Sequence, residues 1–164
     1  MAESIRGKTI ISVIGASSPS QKIYGLALEV GRLLAEEGLI VACGGLGGVM
    51  EAVCKGAAER GGLSLGFLPR DPDAANPYVT IPVPTGLGEA RNILVVSAGV
   101  AVISIGGSFG TLSEMGFALK LGKPLVGLHT WTVTDDGGNT YPRMRASSPR
   151  EAVEMALRYI GGGA

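Results

Sequence analysis

Charge is scarce in this chain. Of its 164 residues, 17% are Asp, Glu, Lys or Arg, and the formal net charge at pH 7 is zero. No basic block occurs, so binding along a nucleic-acid backbone, which works through clustered Lys and Arg, is not expected. A local anion site stays open, because a few backbone amides and one Arg suffice. Histidine occurs once, as His129, so a histidine metal cluster is ruled out and no metal site is expected. Cysteine occurs twice, as Cys43 and Cys54. Two are too few for a disulfide framework and read as small buried side chains. No apolar run approaches the roughly 20 residues of a membrane span. The opening residues MAESIRGK are polar and carry no anchor. The expectation is a soluble chain in the reducing cytoplasm, with no membrane partner.

The common nucleotide-binding motifs are also missing. There is no G-x-x-x-x-G-K-[ST], which excludes a standard P-loop nucleotidase. No strand is followed by G-x-G-x-x-G; the nearest stretch, Gly45–Met50, has Met50 where the third glycine belongs. No acidic residue ends the second expected strand to grip a ribose, so a dinucleotide dehydrogenase is disfavoured. Ser17 and Ser18 have no histidine at a recognisable elbow, which argues against a Ser–His hydrolase. Asp135–Asn139 lacks the spacing of a calcium loop and reads as a turn.

What is abundant is apolar residues, at 46%, and glycine, at 27 residues. The glycines cluster where apolar runs end. Thr9–Ile14, Leu39–Ala42, Leu63–Leu68, Val79–Val83, Val100–Ile105 and Pro124–Leu128 read as strands. Pro82 marks the fourth of these as irregular or near an edge. Helical spacing runs through Ile23–Leu34, closed by Gly38, and through Val49–Glu59, Gly86–Ala98 and Thr111–Leu121. His129–Ser147 reads as a long polar loop. Ser148-Pro149-Arg150-Glu151 has the form of a capping box opening a last helix. The end, Gly161–Ala164, is expected to fray. Strand–helix alternation over 1–164 predicts one α/β domain, a doubly wound parallel sheet with helices on both faces.

In such a sheet, ligands bind beyond the carboxyl ends of strands. Three small-residue turns fall there: Gly15–Ser18, Gly44–Gly48 and Gly106–Gly110. Glycine lets backbone approach a ligand closely, and a helix starting after the turn aims free amides at an anion. The turns therefore predict a shared phosphate- or nucleotide-binding cleft. Two side chains nearby carry chemistry. Arg91 is either a solvated helix-face charge, paired with Glu89, or a phosphate clamp. Glu114 is either the capping partner of Thr111, three residues before it, or a carboxylate facing a sugar. Trp131 either covers the cleft mouth or packs an interface.

Three stretches, in order, resemble a known family. They are Cys43-Gly44-Gly45-Leu46-Gly47-Gly48-Val49-Met50-Glu51, then Ile81–Asn92, then Gly106-Gly107-Ser108-Phe109-Gly110-Thr111-Leu112-Ser113-Glu114. Together they are similar to the molybdenum-cofactor carrier protein-like family, over about Ile10 to Trp131. That family is related to the Lonely Guy phosphoribohydrolases, formerly labelled lysine decarboxylases. Those enzymes split a nucleoside 5′-monophosphate into free base and ribose 5-phosphate. Their motif P-G-G-x-G-T-x-x-E has a catalytic Glu, matched by Glu114; Gly106 stands for the Pro and Ser108 for the second Gly. Their catalytic Arg matches Arg91, but Asn92 replaces the Lys that follows it. These departures match the carrier-like branch better.

The resemblance implies a Rossmann-like fold and a homodimer or homotetramer. The strand-end turns and the resemblance together point to a ligand site built from Gly15, Ser17, Ser18, Gly44, Gly45, Gly47, Gly48, Met50, Asn92, Gly107, Ser108, Phe109, Gly110 and Thr111, with Arg91 and Glu114 as the chemical pair. No cofactor is expected as a requirement, although the molybdenum cofactor is a candidate cargo. Two functions stay open: a carrier for a small phosphorylated ligand, and an N-glycosidic hydrolase of a nucleoside monophosphate. Lysine decarboxylation is set aside, because none of Lys8, Lys22, Lys55, Lys120 or Lys123 sits at a strand-end turn where a pyridoxal aldimine would form.

Overall fold

The computed structural model describes residues 7–160; the frayed end expected at Gly161–Ala164 lies outside them. Strands β1 (Ile10–Gly15), β2 (Ile40–Cys43), β3 (Ser64–Leu68), β4 (Ile81–Pro84), β5 (Ala101–Ile105) and β6 (Leu125–Leu128) follow the apolar runs closely. Helices α1 (Gln21–Glu36), α2 (Val49–Glu59), α3 (Asn92–Ala98), α4 (Phe109–Lys120) and α5 (Pro149–Leu157) alternate with them. The main sheet has seven parallel strands in the order β4-β3-β2-β1-β5-β6-β9, the last being Met144–Ala146. This is the Rossmann-like doubly wound arrangement. The order reverses between β1 and β5, so the chain leaves their carboxyl ends toward opposite faces and opens a crevice. β4, with Pro82, is an edge strand, where a missing amide is tolerated.

Helices α1, α2 and α5 cover one face over the larger core, which includes Val30, Leu34, Val53, Val41 and Ile103. Helices α3 and α4 cover the other over a smaller core of Ile14, Val95, Val96, Val102, Met115, Ala118 and Leu125. Cys43 and Cys54 are free, buried thiols of the larger core, with sulfurs 3.4 Å apart. Helices α1 and α2 cross at glycine. A Cβ on Gly56 would lie 2.0 Å from the Leu28 carbonyl oxygen, and one on Gly31 would lie 2.2 Å from that of Val53. That crossing lets the helix backbones touch.

Two expectations are corrected. The polar segment His129–Ser147 is not a loop throughout. It forms a hairpin, β7 (Val133–Thr134) with β8 (Thr140–Tyr141), and then β9 (Met144–Ala146), which joins the main sheet beside β6. Its strands are two or three residues long, too short to show an apolar period. Asp135 turns the hairpin, its carboxylate accepting the Asn139 amide at 2.8 Å. The second correction concerns 86–98. It is not one helix: a 3-10 turn over Gly88–Arg91 precedes α3.

Candidate functional site

The crevice over the β1, β2 and β5 ends holds a cleft of about 250 Å³. Its wall includes Gly15, Ser17, Gly44, Met50, Arg91, Asn92, Ser108, Gly110, Thr111 and Glu114. Of the residues named from sequence, Ser18, Gly45, Gly47, Gly48, Gly107 and Phe109 do not line it. Val13, Ile14, Leu46 and Glu89 line it and were missed.

The three turns do different work. Gly48 takes φ +68°, and a Cβ there would meet the carbonyls of Ala16 and Ser17. The Val49 amide, first in α2, donates to the Ala16 carbonyl at 2.9 Å. The first two turns therefore lock against each other, and the leading amide of α2 is spent on that contact. Gly45 packs on β3, where a Cβ would crowd Leu68 and Gly66. The third turn is the open one. Ser108 caps α4, and its amide donates to the Thr111 hydroxyl at 3.2 Å. The helix thus starts two residues earlier than expected, and Ser108, Gly110 and Thr111 of its start line the cleft.

That start settles Glu114. Thr111 is itself the capping partner, so Glu114 is not a cap; it lies one turn further along α4 and faces the cleft. It is 7% exposed, and burial pushes its carboxyl up to about 8, against the pull of Arg91 and with a further push from Glu89. Arg91 is 5% exposed, which rules out the solvated helix-face reading. Its Nη1 lies 3.9 Å from the Glu114 carboxylate and donates to the Asn92 side-chain oxygen. Its Nε is buried and has no hydrogen-bond partner. Gly44 makes room for this guanidinium, since a Cβ there would sit 3.0 Å from Nη2.

Asn92 in turn donates to the Ser113 hydroxyl at 3.0 Å, and Ser113 donates to the Gly110 carbonyl at 2.7 Å. This chain of hydrogen bonds ties Arg91, just ahead of α3, to the turn that opens α4. Trp131 lies behind that turn. Its indole NH donates to the Ser108 carbonyl at 3.1 Å, and its ring occupies the space a Gly107 side chain would need. Phe109 points away from the cleft, 81% exposed, its ring 6.0 Å from that of Trp131. His129 is exposed, outside the cleft lining, and takes φ 51°. Among the described residues, no group of three or more His, Cys, Asp or Glu is placed to hold a metal ion. No helix there is long and apolar enough to cross a membrane.

Glu89 escaped the sequence reading for a geometric reason. In an α-helix, residues two apart point about 200° from each other, nearly opposite. In the 3-10 turn that forms instead, they are about 120° apart. Glu89 and Arg91 can then line one cavity. The signal was Gly88, whose φ of +56° breaks the helix before it starts.

Fold and site define a Rossmann-like α/β protein with a buried Arg–Glu pair at the switch point of its sheet. The chain belongs to the SLOG cluster4 family, whose model matches residues 8–153. An uncharacterized protein of Archaeoglobus fulgidus is 47% identical over 147 residues, covering 90% of this chain and 93% of that one. The molybdenum cofactor binding protein of Rippkaea orientalis superposes with a TM-score of 0.83 at 34% identity, over 92% of this chain and 96% of that one. The molybdenum cofactor carrier protein of Chlamydomonas reinhardtii gives 0.80 at 31% identity, over 93% and 98%. The resemblance read from the three motifs is borne out.

Proposed function

We propose that this protein binds a small phosphorylated, nucleotide-like molecule in the cleft and carries it unchanged, with the molybdenum cofactor as the cargo its relatives point to. One observation carries the reading: Arg91 is almost wholly buried, yet its Nε is unpartnered and the side chain lines a cleft beside the start of α4. A buried cationic donor without a partner is costly, and an anion in the cleft would satisfy it. The dipole of α4, whose first turn lines the cleft, favours the same occupant. Gly15, Ser17, Gly44, Ser108, Gly110 and Thr111 would form its cradle. Arg91→Ala should weaken binding of inorganic phosphate and of AMP by about tenfold or more, since a charged hydrogen bond is worth roughly 1.5–3 kcal/mol. Calorimetry measures this, and equal affinity in the variant would remove the clamp.

A second reading is favoured by the 3.9 Å separation of Arg91 and Glu114. In a phosphoribohydrolase, Arg91 would fix the phosphate. Glu114 would stabilise the oxocarbenium-like ribose as the glycosidic bond breaks, and orient the attacking water. An assay for free base released from AMP, with wild type and Glu114→Gln side by side, separates the two. A carrier releases none. Release that Glu114→Gln abolishes would establish the hydrolase instead.

The proposal extends to setting and assembly. Cys43 and Cys54 are free thiols, as a reducing cytoplasm would keep them. Ile93, Val100, Leu119 and Leu121, on or beside α3 and α4, are between 36% and 45% exposed. Pairing of this face with a second copy of the chain would cover them.

A further inference from the structure

We propose that Glu89 is the residue that selects the ligand's ring, its carboxylate accepting from the 2-amino-4-oxopyrimidine edge that guanine and pterin share. This rests on the reading that the cleft holds a phosphorylated ligand.

The cleft is polarised. At its base lie the buried Arg91, with its unpartnered Nε, and the start of α4. These suit a phosphate. Glu114, 7% exposed, comes next along the wall. Glu89 stands at the mouth: it lines the cleft, is exposed to solvent, and among the described residues its carboxylate makes no hydrogen bond or ion pair, its backbone carbonyl alone accepting from the Asn92 amide. It lies close enough to Glu114 for the two charges to be felt. A ligand that fills this cleft must therefore present an anion at one end and hydrogen-bond donors at the other.

Size points the same way. At about 250 Å³ the cleft is smaller than small-molecule sites of roughly 300–1,000 Å³. It has room for the phosphate and sugar-like part of a nucleotide-sized ligand, which leaves the ring at the mouth beside Glu89. A carboxylate there accepts only. Adenine offers one donor beside a ring-nitrogen lone pair, which a carboxylate repels. Guanine and pterin rings offer a ring N–H and an amino group side by side, which a carboxylate accepts as a parallel pair. Gly88, at φ +56°, sets the turn that brings Glu89 and Arg91 onto one wall.

The test is calorimetry with GMP, IMP, AMP and inorganic phosphate, with and without EDTA, on wild type, Glu89→Gln and Glu89→Ala. IMP lacks only the 2-amino group of GMP. Wild type should bind GMP about tenfold or more tighter than IMP or AMP, because a site built for a donor rejects the analogue that lacks it. Both variants should lose that preference to within about twofold, while binding inorganic phosphate at least as tightly as wild type, since a negative charge beside the anion is removed. Equal binding of the three nucleotides by wild type overturns the role of Glu89 and leaves the phosphate cleft standing. So does a preference that survives in Glu89→Ala, or one that disappears when EDTA removes a bridging cation. If neither nucleotide nor phosphate binds wild type, the phosphate reading falls and this inference with it.

Discussion

On the face covered by α1, α2 and α5, the buried helix positions are apolar, glycine or cysteine. On the face of α3 and α4, buried Asn92, Thr111 and Glu114 sit among Val95, Val96, Met115 and Ala118, with Arg91 just ahead of α3. The first face is packed for stability. The second gives up apolar burial to hold polar groups at the switch point, where burial raises the strength of every electrostatic contact. Stability and site chemistry are thus carried by opposite faces of one sheet, and substitutions should sort accordingly.

The largest loss of stability is expected at the α1–α2 crossing. A methyl group at Gly56 would meet backbone of α1 at 2.0 Å, which no side-chain rotation relieves. Gly56→Ala gains about 1 kcal/mol in helix propensity but forces the helices apart, for a net loss of about 2–3 kcal/mol. Denaturant unfolding reads this directly; a variant as stable as wild type would mean the packed face is looser than its contacts indicate.

A smaller, pH-dependent effect is expected on the other face. The Glu114 carboxyl is raised from 4.5 to about 8 in the folded chain. Between those values the folded state holds a proton that the unfolded state has released. Stability from this group is therefore full below about pH 4.5 and declines as pH rises through about 8. Glu114→Gln removes the titration without removing a cap. Near pH 4 the variant should lie within about 1 kcal/mol of wild type, and as pH rises toward 8 it should become the more stable. Melting curves across this range decide it; parallel pH profiles for the two proteins would show that Glu114 ionises normally.

The smallest effect on the fold belongs to the outer surface of α3 and α4. Ile93→Ser and Leu119→Ser should each cost an isolated protomer only about 1 kcal/mol, because both side chains are more than a third exposed. They should shift sedimentation from dimer or larger toward monomer. A wild type already monomeric at micromolar concentration would reject the pairing of this face.

Much of this was legible in order along the chain. Short apolar runs marked six of the seven main strands, three of them leading into glycine turns, because parallel strands buried on both faces need largely apolar sequence. Pro82 announced an edge, since it cannot donate to a ladder. β9 was invisible, being three residues long and held by its pairing to β6 rather than by its own pattern.

The site divides in the same way. The sequence by itself determined that glycine turns, Arg91 and Glu114 fall at strand ends, because alternation of strand and helix forces a parallel sheet with all those ends on one edge. Tertiary structure alone decided which residues of each turn reach the cleft. Gly48 and the Val49 amide are packed against Ala16 and Ser17, far away in sequence, while Gly44 of the same turn lines the cleft together with Ser108, Gly110 and Thr111. It also decided the state of the two charged groups. Burial is a property of the surrounding fold, and it is burial that removes Arg91 from solvent and holds a proton on Glu114.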